Sequence, residues 1–146
     1  MADTRFIKLR VEPAMRERLA IDFGVRFEER EMPIRWNGSG TGIFRFDAVS
    51  EDGTIIACLS SARNLKPGQR HKLMRDATFM WLTPGVKHRI MAVVEPRVAQ
   101  ALNAELRCSR LPPETEVRII DLAPKLRAEI ENFQLTAINE VSGSGR

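Results

Sequence analysis

The chain contains no tyrosine, only two tryptophans, two histidines and two cysteines, and no long apolar run among its 146 residues. Each scarcity excludes something. With aromatic residues at 6%, a nucleic-acid surface built mainly from stacking rings is poorly supplied. Cys58 and Cys108 lie far apart, form no C-x-x-C pair and have only two histidines to join them, so neither a disulfide framework nor a zinc site is indicated. Both are expected as reduced, partly buried thiols. His71 and His88 have no second metal ligand at helical or hairpin spacing. No stretch approaches the roughly 18 apolar residues of a membrane span, and Met-Ala-Asp-Thr-Arg lacks the apolar core of a signal peptide. The expectation is a cytoplasmic protein with no membrane partner. A chain of this length buries roughly two thirds of its unfolded surface, so one domain over 1–140, followed by a loose tail at 141–146, is expected.

What is present is charge, unevenly placed. Residues 1–59 carry nine cations and ten acids, and residues 91–146 carry seven and eight. Between them, Arg63, Lys66, Arg70, Lys72, Arg75, Lys87 and Arg89 face only Asp76, a local net of +6. Such a cluster is the footprint of phosphate contacts, and equally of a solvated helix face. Two other motifs carry nothing. The turn from Asn37 to Gly42 opens a strand and lacks Gly-Lys-Ser/Thr, so it is no phosphate loop, and Ser60-Ser61 has no Gly-x-Ser-x-Gly elbow.

Periodicity orders the rest. Ile7, Leu9 and Val11 alternate with polar neighbours and predict a short strand. Met15, Leu19, Phe23 and Phe27 recur every four residues and predict an amphipathic helix over 13–31, opened by Pro13 and ended by Pro33, with a strand starting at Ile34 to Trp36. Ile43–Val49 and Thr54–Ser60, joined through Asp52-Gly53, predict a hairpin. Its register places Asp47 opposite Cys58 and puts Asp47, Ile56, Cys58 and Ser60 on one face. A helix over 67–82 buries Leu73, Met74, Ala77, Met80 and Trp81. Trp36 and Trp81 read as packing residues, while Phe79 and Leu82 fall outside the stripe and mark a subunit contact or a site covered by the last helix. A strand at 89–94 buried on both sides, a helix at 96–106, a strand at 117–122 and a helix from Pro124 to about Ala137 complete the chain. The fold class is α/β (α+β), a mixed sheet flanked by helices on both faces.

The segment from Phe46-Asp47 through Asp52-Gly53 to Cys58-Leu59-Ser60 resembles the signature of the restriction-endonuclease-like, or PD-(D/E)XK, nuclease superfamily, and the likeness of pattern extends over 13–94. The resemblance implies a helix-strand-strand-strand-helix-strand core, with an acid on one strand and a D/E-x-K tripeptide on the next. Asp47 stands at the first acid. The second acid position is Cys58 and the lysine position is Ser60. In these nucleases two carboxylates hold Mg²⁺ and the lysine orients water. One carboxylate beside a thiol and a hydroxyl is the wrong set for a hard octahedral cation, so Asp47 is the only metal ligand the motif offers. Glu28, Glu29, Glu31 or Asp76, with Lys66 or Lys72, are the residues that would restore a relocated site. The resulting reading is a decayed nuclease acting as a nucleic-acid-binding or regulatory module, with no cofactor, whose phosphate contacts are Arg63, Lys66, Arg70, Lys72 and Arg75. Two alternatives stand beside it: an active Mg²⁺-dependent nuclease with displaced ligands, and a protein-interaction subunit of a homodimer or larger assembly.

Overall fold

Val11, Met15 and Leu19 recur every four residues and all three are fully buried, which is helical spacing. In the computed structural model, which describes residues 5–36 and 40–144, the chain follows that series from its start. A π-helical turn, Ile7–Val11, runs straight into α1, Glu12–Phe23, which has Pro13 in its first turn. The strand expected at 7–11 is therefore a helix. Alternation over three residues is overridden by the longer four-residue series, and Leu9 is left 71% exposed. α1 also ends earlier than the expected residue 31. Gly24 takes φ 70° and its N–H closes on the Ala20 carbonyl, a glycine stop at the C-terminus.

The remaining elements are β1 (Phe27–Arg35), β2 (Thr41–Ser50), β3 (Ile55–Ser60), α2 (Pro67–Trp81), β4 (His88–Val93), α3 (Pro96–Arg107), β5 (Thr115–Ile119) and α4 (Pro124–Ser144). Phe27 thus opens a strand instead of continuing a helix, and Pro33 lies inside that strand. β1 is at the edge of the sheet, where proline and a run of charge are tolerated because one side of the strand makes no ladder. Asn37 to Ser39 of the glycine-rich turn lie outside the described residues. α4 passes the expected end at Ala137 and takes in residues 141–144 of the expected tail. Proline is absent from 137–144, and the first glycine comes at 143.

The sheet order is β1-β2-β3-β4-β5, with β1–β2 and β2–β3 antiparallel and β3–β4 and β4–β5 parallel. The fold is the expected mixed sheet with helices on both faces. Ile55, Ala57 and Leu59 of β3, with Ile90 and Ala92 of β4, pack with Val11, Met15 and Leu19 of α1 and Ile130 of α4. Ile56, Cys58, Met91 and Val93 point the other way, into Leu73, Ala77 and Met80 of α2 and Val98 and Leu102 of α3. Both central strands are buried on both faces, and each fully buried large side chain contributes about 1.5–3 kcal/mol. Trp36 and Trp81 pack at the edge and not in the core: they are 48% and 42% exposed, Trp36 against Phe79 and Trp81 against Arg89. Phe79 packs on Phe44 of β2, ring centroids 4.7 Å apart. No helix among the described residues is long and apolar enough to cross a membrane.

Candidate functional site at the fork of the sheet

The hairpin turn fixes the register of β2 and β3. Gly53 adopts φ 76°, and Asp52 Oδ1 accepts from the Thr54 N–H at 3.1 Å, the Thr54 hydroxyl at 2.8 Å and the Ser50 hydroxyl at 2.8 Å. Those bonds, the Thr54 N–H first, hold the Asp52 carboxyl down at about 2. Pairing then runs Val49 with Ile56 and Ala48 with Ala57, as expected, and there it stops. Against β1, the register slips between Glu28 opposite Val49 and Arg30 opposite Phe46. One β1 residue, Glu29, therefore faces two β2 residues, Asp47 and Ala48. That is a bulge, and a bulge re-aims the side chains it carries.

The consequence is a fork. Beyond Asp47 and Cys58, β2 follows β1 while β3 follows β4. Two charged side chains satisfy the backbone groups that the ladder releases. Asp47 Oδ2 accepts the Leu59 N–H at 3.0 Å, and the Asp47 carbonyl accepts from Arg16 Nη1 of α1 at 2.9 Å. Asp47 does not simply share the Cys58 face, as strict alternation requires, because the bulge turns its carboxylate into the gap between strands.

Three other groups feel that carboxylate. Glu12, at the start of α1, is 9% exposed and its Oε2 makes no hydrogen bond; burial first, then the charge of Asp47, pushes its carboxyl above the usual range. Asp76, on α2, is 5% exposed and is bonded by Arg75 Nε at 3.2 Å and Nη2 at 3.0 Å. Its carboxyl is also raised, chiefly by burial and in part by Asp47. The Cys58 thiol, buried with Sγ 3.7 Å from Met80 Sδ, is pushed up well above its ordinary value by burial and by the charges of Asp76 and Asp47. Glu12 and Arg16 were not legible as site residues. Their only signal is the i, i+4 spacing that sets them beside the buried Val11 and Met15.

The structure divides the remaining sequence-predicted residues. Ser60 accepts the Ala62 N–H at 3.2 Å and is half-buried. Arg63, Lys66 and Lys72 are exposed, and their side chains form no ion pair among the described residues. Arg70, in contrast, is committed to the buried Glu105 at 2.9 Å, and Arg75 to Asp76 and the ring of Phe44. Glu28 and Glu31 form surface pairs with Arg30 and Arg45. Glu29 is bonded by Arg45, which holds its carboxyl low, and by Lys8. Cys108 is exposed, not partly buried.

The donor set does not fit the magnesium that the nuclease resemblance implies. At the motif positions stand a carboxylate already accepting a backbone N–H, a buried thiol and a hydroxyl facing its own loop. Among the described residues no three His, Cys, Asp or Glu side chains come together as a metal-holding group. No family model matches the chain, and no curated protein or solved structure is significantly similar to it.

Proposed function

We propose that this chain is a cytoplasmic, nuclease-fold protein whose phosphodiester-cleaving site has decayed and which acts as a nucleic-acid-binding or regulatory module. The observation that carries the reading is Cys58: a buried thiol against Met80 occupies the position of the second carboxylate. The order α1-β1-β2-β3-α2-β4 supports the nuclease resemblance, being the helix-strand-strand-strand-helix-strand order it implies. Arg63, Lys66 and Lys72 supply exposed positive charge in the loop after β3 and on α2, where phosphates would be met. Because fold alone does not assign function, binding is the deciding measurement. The affinity for a labelled DNA duplex, measured by anisotropy, is expected to fall with salt at a log-log slope of about −2.7, the value for three neutralised phosphates. Replacing Arg63, Lys66 and Lys72 together by Gln should flatten it towards zero. No binding at low salt would overturn the reading in favour of the protein-interaction subunit.

One observation favours a second reading. Lys72 and Asp76 lie one helical turn apart on α2 and both act electrostatically on Cys58, while Asp47 acts on Asp76. These residue types are those of a relocated nuclease site. Duplex cleavage with Mg²⁺ that disappears in both Asp47→Ala and Asp76→Asn would put the active nuclease first; under the leading reading, neither Mg²⁺ nor Mn²⁺ supports cleavage.

A further inference from the structure

Both tryptophans of the chain line a single groove at the C-terminal end of α2. Trp36 follows β1 directly, and Trp81 is the last residue of α2. The Arg35 N–H donates to the Leu82 carbonyl at 2.9 Å, which ties the end of β1 to the end of the helix and leaves a groove of about 520 Å³ between them. The groove is shallow and open to solvent, not an enclosed cavity.

The lining has a definite chemistry. Trp36 stands edge-on to Phe79, ring centroids 6.1 Å apart at 89°, and Trp81 lies under the Arg89 guanidinium at 5.5 Å. Arg89 is fully engaged: Nε donates to the Met80 carbonyl at 2.8 Å, Nη2 to the Thr83 carbonyl at 3.3 Å, and Nη1 pairs with Glu114 at 3.6 Å. It fixes the indole and leaves a positive charge behind it. Arg35 is different. It is exposed, and its side chain has no ion pair or hydrogen bond among the described residues. Among the described residues no carboxylate lines the groove.

Two half-exposed indoles beside an uncommitted guanidinium call for a ligand that is flat and aromatic at one end and anionic at the other. We propose that the groove binds an unpaired nucleotide of single-stranded nucleic acid, with the base on an indole and its phosphate on Arg35. Base pairing in a duplex hides the ring faces that an indole needs, so the unpaired strand is the form that fits. An apolar peptide would leave Arg35 without a partner, and a cationic ligand would meet two guanidiniums. The inference rests on the nucleic-acid reading above and adds to it a strand preference and a second contact region.

The test uses the full chain and an oligothymidylate about 12 nucleotides long, within the span of known single-strand sites. Because the protein has no other tryptophan and no tyrosine, indole emission reports this groove alone, while anisotropy of the labelled oligonucleotide reports binding anywhere. The expected result is quenching that saturates together with the anisotropy. Arg35→Gln should weaken both and reduce the salt slope by about one unit. Trp81→Ala should lower affinity about 5- to 150-fold, the equivalent of ~1–3 kcal/mol of lost stacking. Circular dichroism accompanies each variant, and Arg35→Gln, on an exposed side chain, keeps the test decisive if Trp81→Ala unfolds. Oligonucleotide or duplex binding with unchanged indole emission overturns the groove proposal and leaves the nucleic-acid reading standing. Absence of any anisotropy change at low salt with both the oligothymidylate and the duplex overturns both.

Discussion

β2 is one strand used in two ways. Ala48, Val49 and Ser50 are fully buried; Val49 pairs with both β1 and β3, Ala48 with β3 and Ser50 with β1. Thr41 to Phe46 pair with β1 alone, and Thr41, Ile43 and Arg45 are exposed. The change falls at the Asp47 bulge. A strand flanked on both sides has its backbone satisfied by ladders, so its side chains need only be apolar and fit. A strand that loses a neighbour exposes N–H and C=O groups inside the molecule, and polar side chains must meet them. Arg16 and Asp47 do so here. They bring charge to the fork for that reason: backbone groups released by the ladder require it there.

The comparison breaks most visibly in stability. Met91→Ala, in the fully buried middle of β4, is expected to cost about 2–5 kcal/mol in urea unfolding. Ile43→Ala, at a side chain 70% exposed on the outer arm, should stay within about 0.5 kcal/mol. An equally large loss at Ile43 would mean that the arm is covered in solution and is no periphery. The fork lies between these extremes. Asp47→Ala strands the Leu59 N–H and should cost roughly 1–3 kcal/mol, whereas Asp47→Asn keeps an acceptor oxygen and should recover most of that loss. Equal losses in the two variants would show that charge, and not the hydrogen bond to Leu59, is what Asp47 contributes.

The central region was legible because its signals are local and strong. Asp52-Gly53 between two apolar runs specifies one turn and hence one register, and the apolar run at 89–94 has the composition of a strand buried twice over. α2 is bounded by Pro67 and Pro84-Gly85, so it was legible too. The arm was not. Gly24 reads either as a weak point within a helix or as its end, and only the partner strand β2 makes Phe27 the start of β1. The bulge has no sequence signature at all. It follows from matching β1 to β2 when β2 must also meet β3. Glu12, 35 positions from Asp47, becomes a neighbour only after that match is made, and the exposure of Trp36 and Trp81 depends on where the arm ends against α2.

Glu12 sharpens the comparison through pH. Its folded-state carboxyl is raised above 4.5, chiefly by burial and then by Asp47, so the native state binds its proton more readily than the unfolded chain. Stability from this group is gained as pH falls through the folded value and lost as pH rises above it. Glu12→Gln should therefore be the more stable protein at pH 7, by up to about 1 kcal/mol, and the advantage should shrink as pH is lowered towards 4.5. Unfolding curves across that range measure it. A Gln variant that is less stable at every pH would mean that the contact of Lys8 with Glu12, at 3.9 Å, outweighs burial.

The smallest effect separates the two cysteines. Cys58 lies in the central region, sealed against Met80, and burial keeps its thiol from ionising. Only the thiolate attacks a disulfide reagent, so Cys58 should react solely when the protein unfolds, at a rate that follows global opening. Cys108 follows α3 on the exterior and is exposed. In the native protein one thiol per chain is expected to react promptly, and Cys108→Ser should remove that reaction while leaving stability within about 0.5 kcal/mol of wild type. Prompt reaction of a thiol in the Cys108→Ser variant would show that the strands at the fork part without global unfolding. Asp47 would then be closing a gap that opens in the native state, and the contrast between sheet centre and arm would be one of dynamics as well as of burial.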